Sequence, residues 1–209
     1  MIDYRVYLVT DDPSRYAGDW LECVAAAVAG GVTCVQYRDT ESTPSERFAR
    51  AHRLRDLLGP RGIPLIVNND AELAVAVGAA GVHVGQGDLQ PSQVRAIVGP
   101  GCEIGYSITA IDQLASRRAE IACCDCLGVG PVFDATRTKA DAARAMGVDG
   151  LRAIVKAMPG RPIVAIGGIT CANAAQVTAT DVAGLAVVSA FSRAKDPKAV
   201  AAELRRLFK

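Results

Sequence analysis

Aromatic residues make up only 5% of this 209-residue chain, histidine occurs twice, and the charges nearly cancel: 23 basic against 22 acidic side chains, a formal net charge of +1. That balance gives no electrostatic case for nucleic acid or an anionic membrane as the main partner. No stretch approaches the roughly 18 apolar residues of a membrane span. Residues 1–5 lack the basic start and apolar core of a secretory signal. These absences point to a cytoplasmic protein that handles a small molecule, with assembly into a homo-oligomer left open.

Cysteine is present, but not in a pattern that does chemistry. The seven thiols (Cys23, Cys34, Cys102, Cys123, Cys124, Cys126 and Cys171) are odd in number, and the C-x-x-C pair Cys123/Cys126 has no second pair or nearby histidine. They read as buried, inert thiols. On a strand, Cys124 and Cys126 are expected to share a face.

What is abundant is alternation. Short β-branched runs at 5–10, 33–37, 64–68, 81–84, 103–107, 126–130, 162–166 and 184–189 are separated by amphipathic stretches, with a mean repeat of about 26 residues, enough for a strand, a helix and two short loops. Eight such units predict one single-domain (β/α)8 barrel covering residues 1–209, with an open doubly wound sheet as the alternative. The helices carry their own punctuation. Thr43, Pro44 and Glu46 form a capping box ahead of a stripe of Phe48, Ala51, Leu54 and Leu58, and Asp196-Pro197 open the last helix, with Val200, Leu204, Leu207 and Phe208 facing inward.

In such a barrel, chemistry belongs at the C-terminal strand ends, and the polar residues collect there. Gly167-Gly168 and Ser189, ahead of helix N-termini, read as an anion site. The segment 134–149, with Thr136, Thr138 and Lys139 near its start, reads as a phosphate-gripping lid. Asp70 and Asp88 follow consecutive strands and suit a Mg²⁺ ion shared with a diphosphate, although Asp70 is equally placed to cap a helix. His83, between Val82 and Val84, reads as a hydrogen-bonded core residue, and His52 as a partly exposed helical one.

The ordered motifs YLVTD at 7–11, VQYRD at 35–39, IVN at 66–68, GVHVGQGD at 81–88, IGYS at 104–107, GVGP at 128–131 with TRTK at 136–139, AIGGI at 165–169 and VVS at 187–189 resemble the thiamine phosphate synthase family over nearly the whole chain. The resemblance implies a (β/α)8 transferase that joins a hydroxymethylpyrimidine diphosphate to a thiazole phosphate by dissociative displacement, using Mg²⁺ and releasing pyrophosphate. It further implies that Gln36, Arg38, Asn68, Ser107 and Lys139 hold the pyrimidine diphosphate. Thr136, Thr138, Gly167, Gly168, Val188 and Ser189 would hold the thiazole phosphate, and Asp88 the metal. Arg38, Lys139 and Ser107 are the expected catalytic residues.

The chain departs from the family pattern at three positions. Thr40, still counted as substrate-binding, stands where the pattern has lysine; Asn69 stands where it has a metal-binding aspartate, with Asn69 and Asp70 as candidate replacements; Gly87 replaces an acidic residue. Two alternatives share the fold: a catalytically impaired paralogue that binds thiamine phosphate or a related ligand, and a thiazole tautomerase-like isomerase. Against the isomerase, Ile108 and Thr109 follow Ser107 where that relative has a histidine.

Overall fold

The computed structural model describes residues 2–135 and 143–208. Its strands are β1 (Val6–Val9), β2 (Cys34–Tyr37), β3 (Leu65–Asn68), β4 (Gly81–Val84), β5 (Glu103–Ile108), β6 (Cys126–Val129), β7 (Ile163–Ile166) and β8 (Gly184–Val187). Each pairs in parallel with its sequence neighbour, and β8 returns to β1 through Val6–Leu185 and Leu8–Val187, closing the barrel. The eight predicted strands are therefore the eight observed, within one or two residues at each end. Helices α1 (Trp20–Ala29), α2 (Pro44–Leu58), α3 (Ala71–Val77), α4 (Pro91–Val98), α5 (Gln113–Ser116), α6 (Arg118–Ala122), α7 (Gly147–Ala157), α8 (Cys171–Thr178), α9 (Ser189–Ser192) and α10 (Pro197–Arg205) follow the strands. No helix among the described residues is long and apolar enough to cross a membrane.

The period of two along each strand divides its side chains between two cores. Val6, Leu8, Val35, Tyr37, Val82, Val84, Leu127, Val129 and Leu185 pack outward beneath the helices. Tyr4, Tyr7, Val9, Cys34, Ile66, Cys126, Val164 and Ala186 pack inside the barrel. Inward positions change character along the axis. On β2 to β5 they end in Gln36, Asn68, His83 and Ser107, whereas β6 to β8 carry Gly128, Ile166 and Ala186. One arc of the barrel mouth is polar and the other is apolar or small.

Local expectations were met unevenly. Thr43 and Glu46 form the capping box of α2, and the Asp196 carboxylate accepts from Ala199 N at 2.9 Å. Phe48, expected in the buried stripe, is 46% exposed and lies edge-on to His52 with ring centroids 4.5 Å apart. Val200, Leu207 and Phe208 are only partly buried against the core, and Leu204 is fully buried. Cys124 and Cys126 do not share a face. β6 begins only at Cys126, so Cys126 packs inside the barrel and Cys124 lies in the outer core. All seven thiols are free, but Cys23, Cys102, Cys123 and Cys171 are half-buried. Burial pushes the Cys23 and Cys126 thiols up to about 11, well away from thiolate chemistry.

Candidate active site

At the C-terminal mouth of the barrel lies a cavity of about 450 Å³, within the ordinary range for a small-molecule site. Of the residues expected to bind substrate, Gln36, Arg38, Asn68, Ser107, Gly167, Gly168, Val188 and Ser189 line it. Thr136, Thr138 and Lys139, and with them the centre of the expected lid, lie outside the described residues. The C-terminal part of the 134–149 segment is not lid: α7 begins at Gly147.

On the polar arc, β2 is fixed at its end by Thr10, whose hydroxyl accepts from Arg38 N (2.8 Å) and donates to Arg38 O (2.7 Å). This turns the Arg38 side chain into the mouth. Its Nη1 is buried without a hydrogen-bond partner among the described residues and lies 3.8 Å from Asp12 Oδ2. An unmade guanidinium hydrogen bond is costly in isolation, so the group is poised for an anion. Gln36 Nε2 donates to Tyr7 Oη (2.8 Å), which fixes the amide and leaves its carbonyl for a ligand.

Thr40 does not line the cavity. It is exposed, and both its amide (2.6 Å) and its hydroxyl (3.0 Å) donate to the Asp12 carboxylate. Asp12 and Asp11 are buried, with Arg15 3.8 and 3.7 Å away respectively. Thr40 therefore acts on the loop that carries Arg38 rather than on a ligand directly.

After β3 the chain turns sharply. Asn69 takes φ = 63°, a left-handed conformation that asparagine tolerates better than most residues. The turn brings Asn69 Nδ2 to 2.9 Å from Asp88 Oδ1. It gives Asp70 the capping position, with Oδ1 accepting from Leu73 N (2.9 Å). Asp88 Oδ2 accepts from Gly85 N (2.7 Å), holding the loop after β4. No group of three or more His, Cys, Asp or Glu side chains is placed to cage a metal among the described residues. One carboxylate beside an amide does fit a Mg²⁺ ion whose remaining oxygens come from a substrate's phosphates and water.

The glycine pair after β7 has two constraints. Gly167 and Gly168 have φ = 100° and 66°. A Cβ at Gly167 would lie 2.5 Å from Pro131 Cα, and one at Gly168 2.6 Å from Asp134 O. The loop after β6 thus stacks directly on the loop after β7, with Phe133 N donating to Gly167 O (3.0 Å). The close approach that demands glycine here is between these two backbones. Gly168→Ala should cost roughly 2–4 kcal/mol through strain and overpacking, read as a lowered urea midpoint with unchanged slope. Ser189, expected at a strand end, is instead the first residue of α9, because β8 stops at Val187.

His83 is hydrogen-bonded, as the sequence reading expected, but it is also part of the cavity wall. It faces inward from β4, lines the cavity and lies 3.0 Å (Nε2) from Ser107 Oγ. Burial, opposed by Asp88, pushes its pKa down to about 4. The unfolded chain takes up a proton near 6.5 while the folded one stays neutral, so His83 lowers stability as pH falls from about 6.5 towards 4. The cost between pH 7 and pH 5 is roughly 2 kcal/mol. Chemical denaturation of the wild type and His83→Leu at both pH values should show this difference in the wild type alone. His52 is half-buried on α2, as expected.

Comparison with known proteins places the whole chain in a family. A family model described as thiamine monophosphate synthase matches residues 6–191. The chain is 45% identical to the thiamine-phosphate synthase of Albidiferax ferrireducens, covering 97% of this chain and 91% of that protein. It is 43% identical to the thiamine-phosphate synthase of Chloroflexus aurantiacus, covering 99% and 94%. Among solved structures, the thiamine phosphate pyrophosphorylase of Pyrococcus furiosus superposes with a TM-score of 0.86 at 32% identity, covering 98% and 95%. A 3-hexulose-6-phosphate synthase, at 16% identity and a TM-score of 0.71 over 98% of this chain and 100% of that one, shares the fold alone.

Proposed function

The chain belongs to the thiamine monophosphate synthase family, and we infer that it is a thiamine phosphate synthase, a transferase that couples hydroxymethylpyrimidine diphosphate to thiazole phosphate with release of pyrophosphate. The observation that carries the reading is the gathering of the Arg38 guanidinium, whose buried Nη1 makes no hydrogen bond among the described residues, Ser107 and the Gly168/Ser189 loops around one cavity in a chain with near full-length synthase relatives. Neither the impaired-paralogue nor the tautomerase reading is favoured by these relatives.

In this reading the diphosphate lies between Arg38 and the Asp88 loop, with Lys139 as a second cation. Gln36, Asn68 and Ser107 orient the aminopyrimidine on the polar arc. The backbone at Gly167-Gly168 and Val188-Ser189, with Thr136 and Thr138, receives the thiazole phosphate. Asp88 and Asn69 would hold Mg²⁺, which would supply charge neutralisation for the leaving diphosphate. The bond between the pyrimidine's methylene carbon and the diphosphate oxygen breaks, its electron pair leaving with pyrophosphate. The thiazole nitrogen lone pair then forms the new C–N bond. That nitrogen carries no proton to lose, so no general base is needed, and the residues act by placement and charge stabilisation.

A cytoplasmic location belongs to the same proposal, in keeping with seven free thiols. The test is a pyrophosphate-release assay with each substrate alone and with both. Release that requires both substrates and Mg²⁺ is expected, and its absence over a wide Mg²⁺ range would refute synthase activity.

A further inference from the structure

Among the cavity-lining side chains to which the proposed reaction gives no task, one is the only histidine, His83. The His83 imidazole reaches from β4 across its neighbours towards Ser107. The wall it lies on is unusually bare: a Cβ at Gly105 would fall 2.3 Å from His83 Nδ1, and one at Gly128 2.7 Å from Cε1. Gly105 pairs with His83 across β4 and β5, and Gly128 pairs with Ser107 across β5 and β6. Two adjacent strands therefore lack side chains where the ring sits, and the slot ends at Ser107 Oγ, 3.0 Å from Nε2.

We propose that His83 is a positioning residue for the synthase reaction, held in the Gly105/Gly128 slot so that its Nε2 fixes the direction in which the Ser107 hydroxyl faces the pyrimidine. The proposal rests on the synthase reading of the cavity. A serine hydroxyl otherwise rotates among staggered positions and can donate or accept in each. Fixing it before the substrate arrives removes an ordering cost from binding and from the transition state. Simple filling of the barrel accounts for the observations less well. An apolar side chain on β4 with alanines at 105 and 128 would fill the same layer, and it would need no nitrogen aimed at a hydroxyl that lines the cavity.

The experiment compares the wild type with His83→Leu, His83→Gln, Ser107→Ala and the His83→Leu/Ser107→Ala double variant in the two-substrate assay. His83→Leu should lower kcat about tenfold or more, with the KM for thiazole phosphate unchanged. His83→Gln, which can return a nitrogen near Nε2, should recover a substantial part of that loss. In the Ser107→Ala background the leucine substitution should have no further effect. Additive losses, equal losses in the glutamine and leucine variants, or an unchanged kcat in His83→Leu would each overturn the proposal.

Ring ¹⁵N spectra of the substrate-free protein give a readout independent of turnover and of the stability of the His83 variants. Ser107→Ala should move the His83 Nε2 resonance, and an unmoved resonance would contradict the hydrogen bond. If the wild type released no pyrophosphate while that resonance did move, the synthase reading would have failed, taking the positioning role with it, although the His83–Ser107 pair itself was sound. Release by the wild type with no effect of His83→Leu would instead sink the positioning role alone.

Discussion

Replacing Arg38 by alanine should lower kcat/KM for the pyrimidine diphosphate by about 10²–10⁴-fold, the value of two charge-assisted hydrogen bonds to phosphate oxygens at roughly 1.5–3 kcal/mol each. The expectation follows from a guanidinium that lines the cavity with Nη1 buried and without a hydrogen-bond partner among the described residues. Arg38 also faces Asp12, so its loss leaves the buried Asp11/Asp12 pair with Arg15 as its ion-pair partner among the described residues. Arg38→Lys separates the two effects. Lysine keeps the charge beside Asp12 but not the planar fork. Its melting temperature should stay near the wild-type value while most of the loss in kcat/KM persists. Steady-state kinetics alongside thermal melts of both variants make the check.

Asp88→Asn is the second large effect. The asparagine carbonyl can still accept from Gly85 N, which Asp88 Oδ2 does now at 2.7 Å, and once the Asn69 amide turns its carbonyl towards the new NH2 group the loop should keep its shape. The negative charge is lost at a site where the neighbour, Asn69, contributes no charge of its own and Asp70 is committed to Leu73 N. Among the described residues no second carboxylate stands ready to compensate. The Mg²⁺ concentration for half-maximal activity should rise at least tenfold and kcat fall by about 10²-fold. A Mg²⁺ titration of pyrophosphate release checks both, and an unchanged half-maximal concentration would remove Asp88 from the metal site.

The barrel was readable because its signals are local and repeated. Every strand is a short β-branched run, and every interval has room for one helix. What the sequence left open were matters of rotation and of a residue or two in register. Spacing could not tell whether Asn69 or Asp70 meets Asp88; the left-handed Asn69 backbone decides it. The cysteines misled because β6 starts two residues later than a Cys124–Cys126 strand would need. Phe48 fitted a helical stripe whose edge is open to solvent. His83 looked like core because its flanking valines are core. A signal was nevertheless present: Asn68 and Ser107 share its inward parity, and Gly105 and Gly128 stand at the strand positions that its ring would cross. Thr40 was placed in the site by analogy with a lysine, but its amide and hydroxyl are both engaged with Asp12.

The most direct measurement is a crystal structure of the protein with thiamine phosphate, pyrophosphate and Mg²⁺. Pyrophosphate is expected against Arg38, the metal on Asp88 with Asn69 beside it, and the thiazole phosphate on the backbone at Gly168 and Ser189, all at the one barrel mouth. Product bound on another face of the barrel, or pyrophosphate held away from both Arg38 and Asp88, would contradict it.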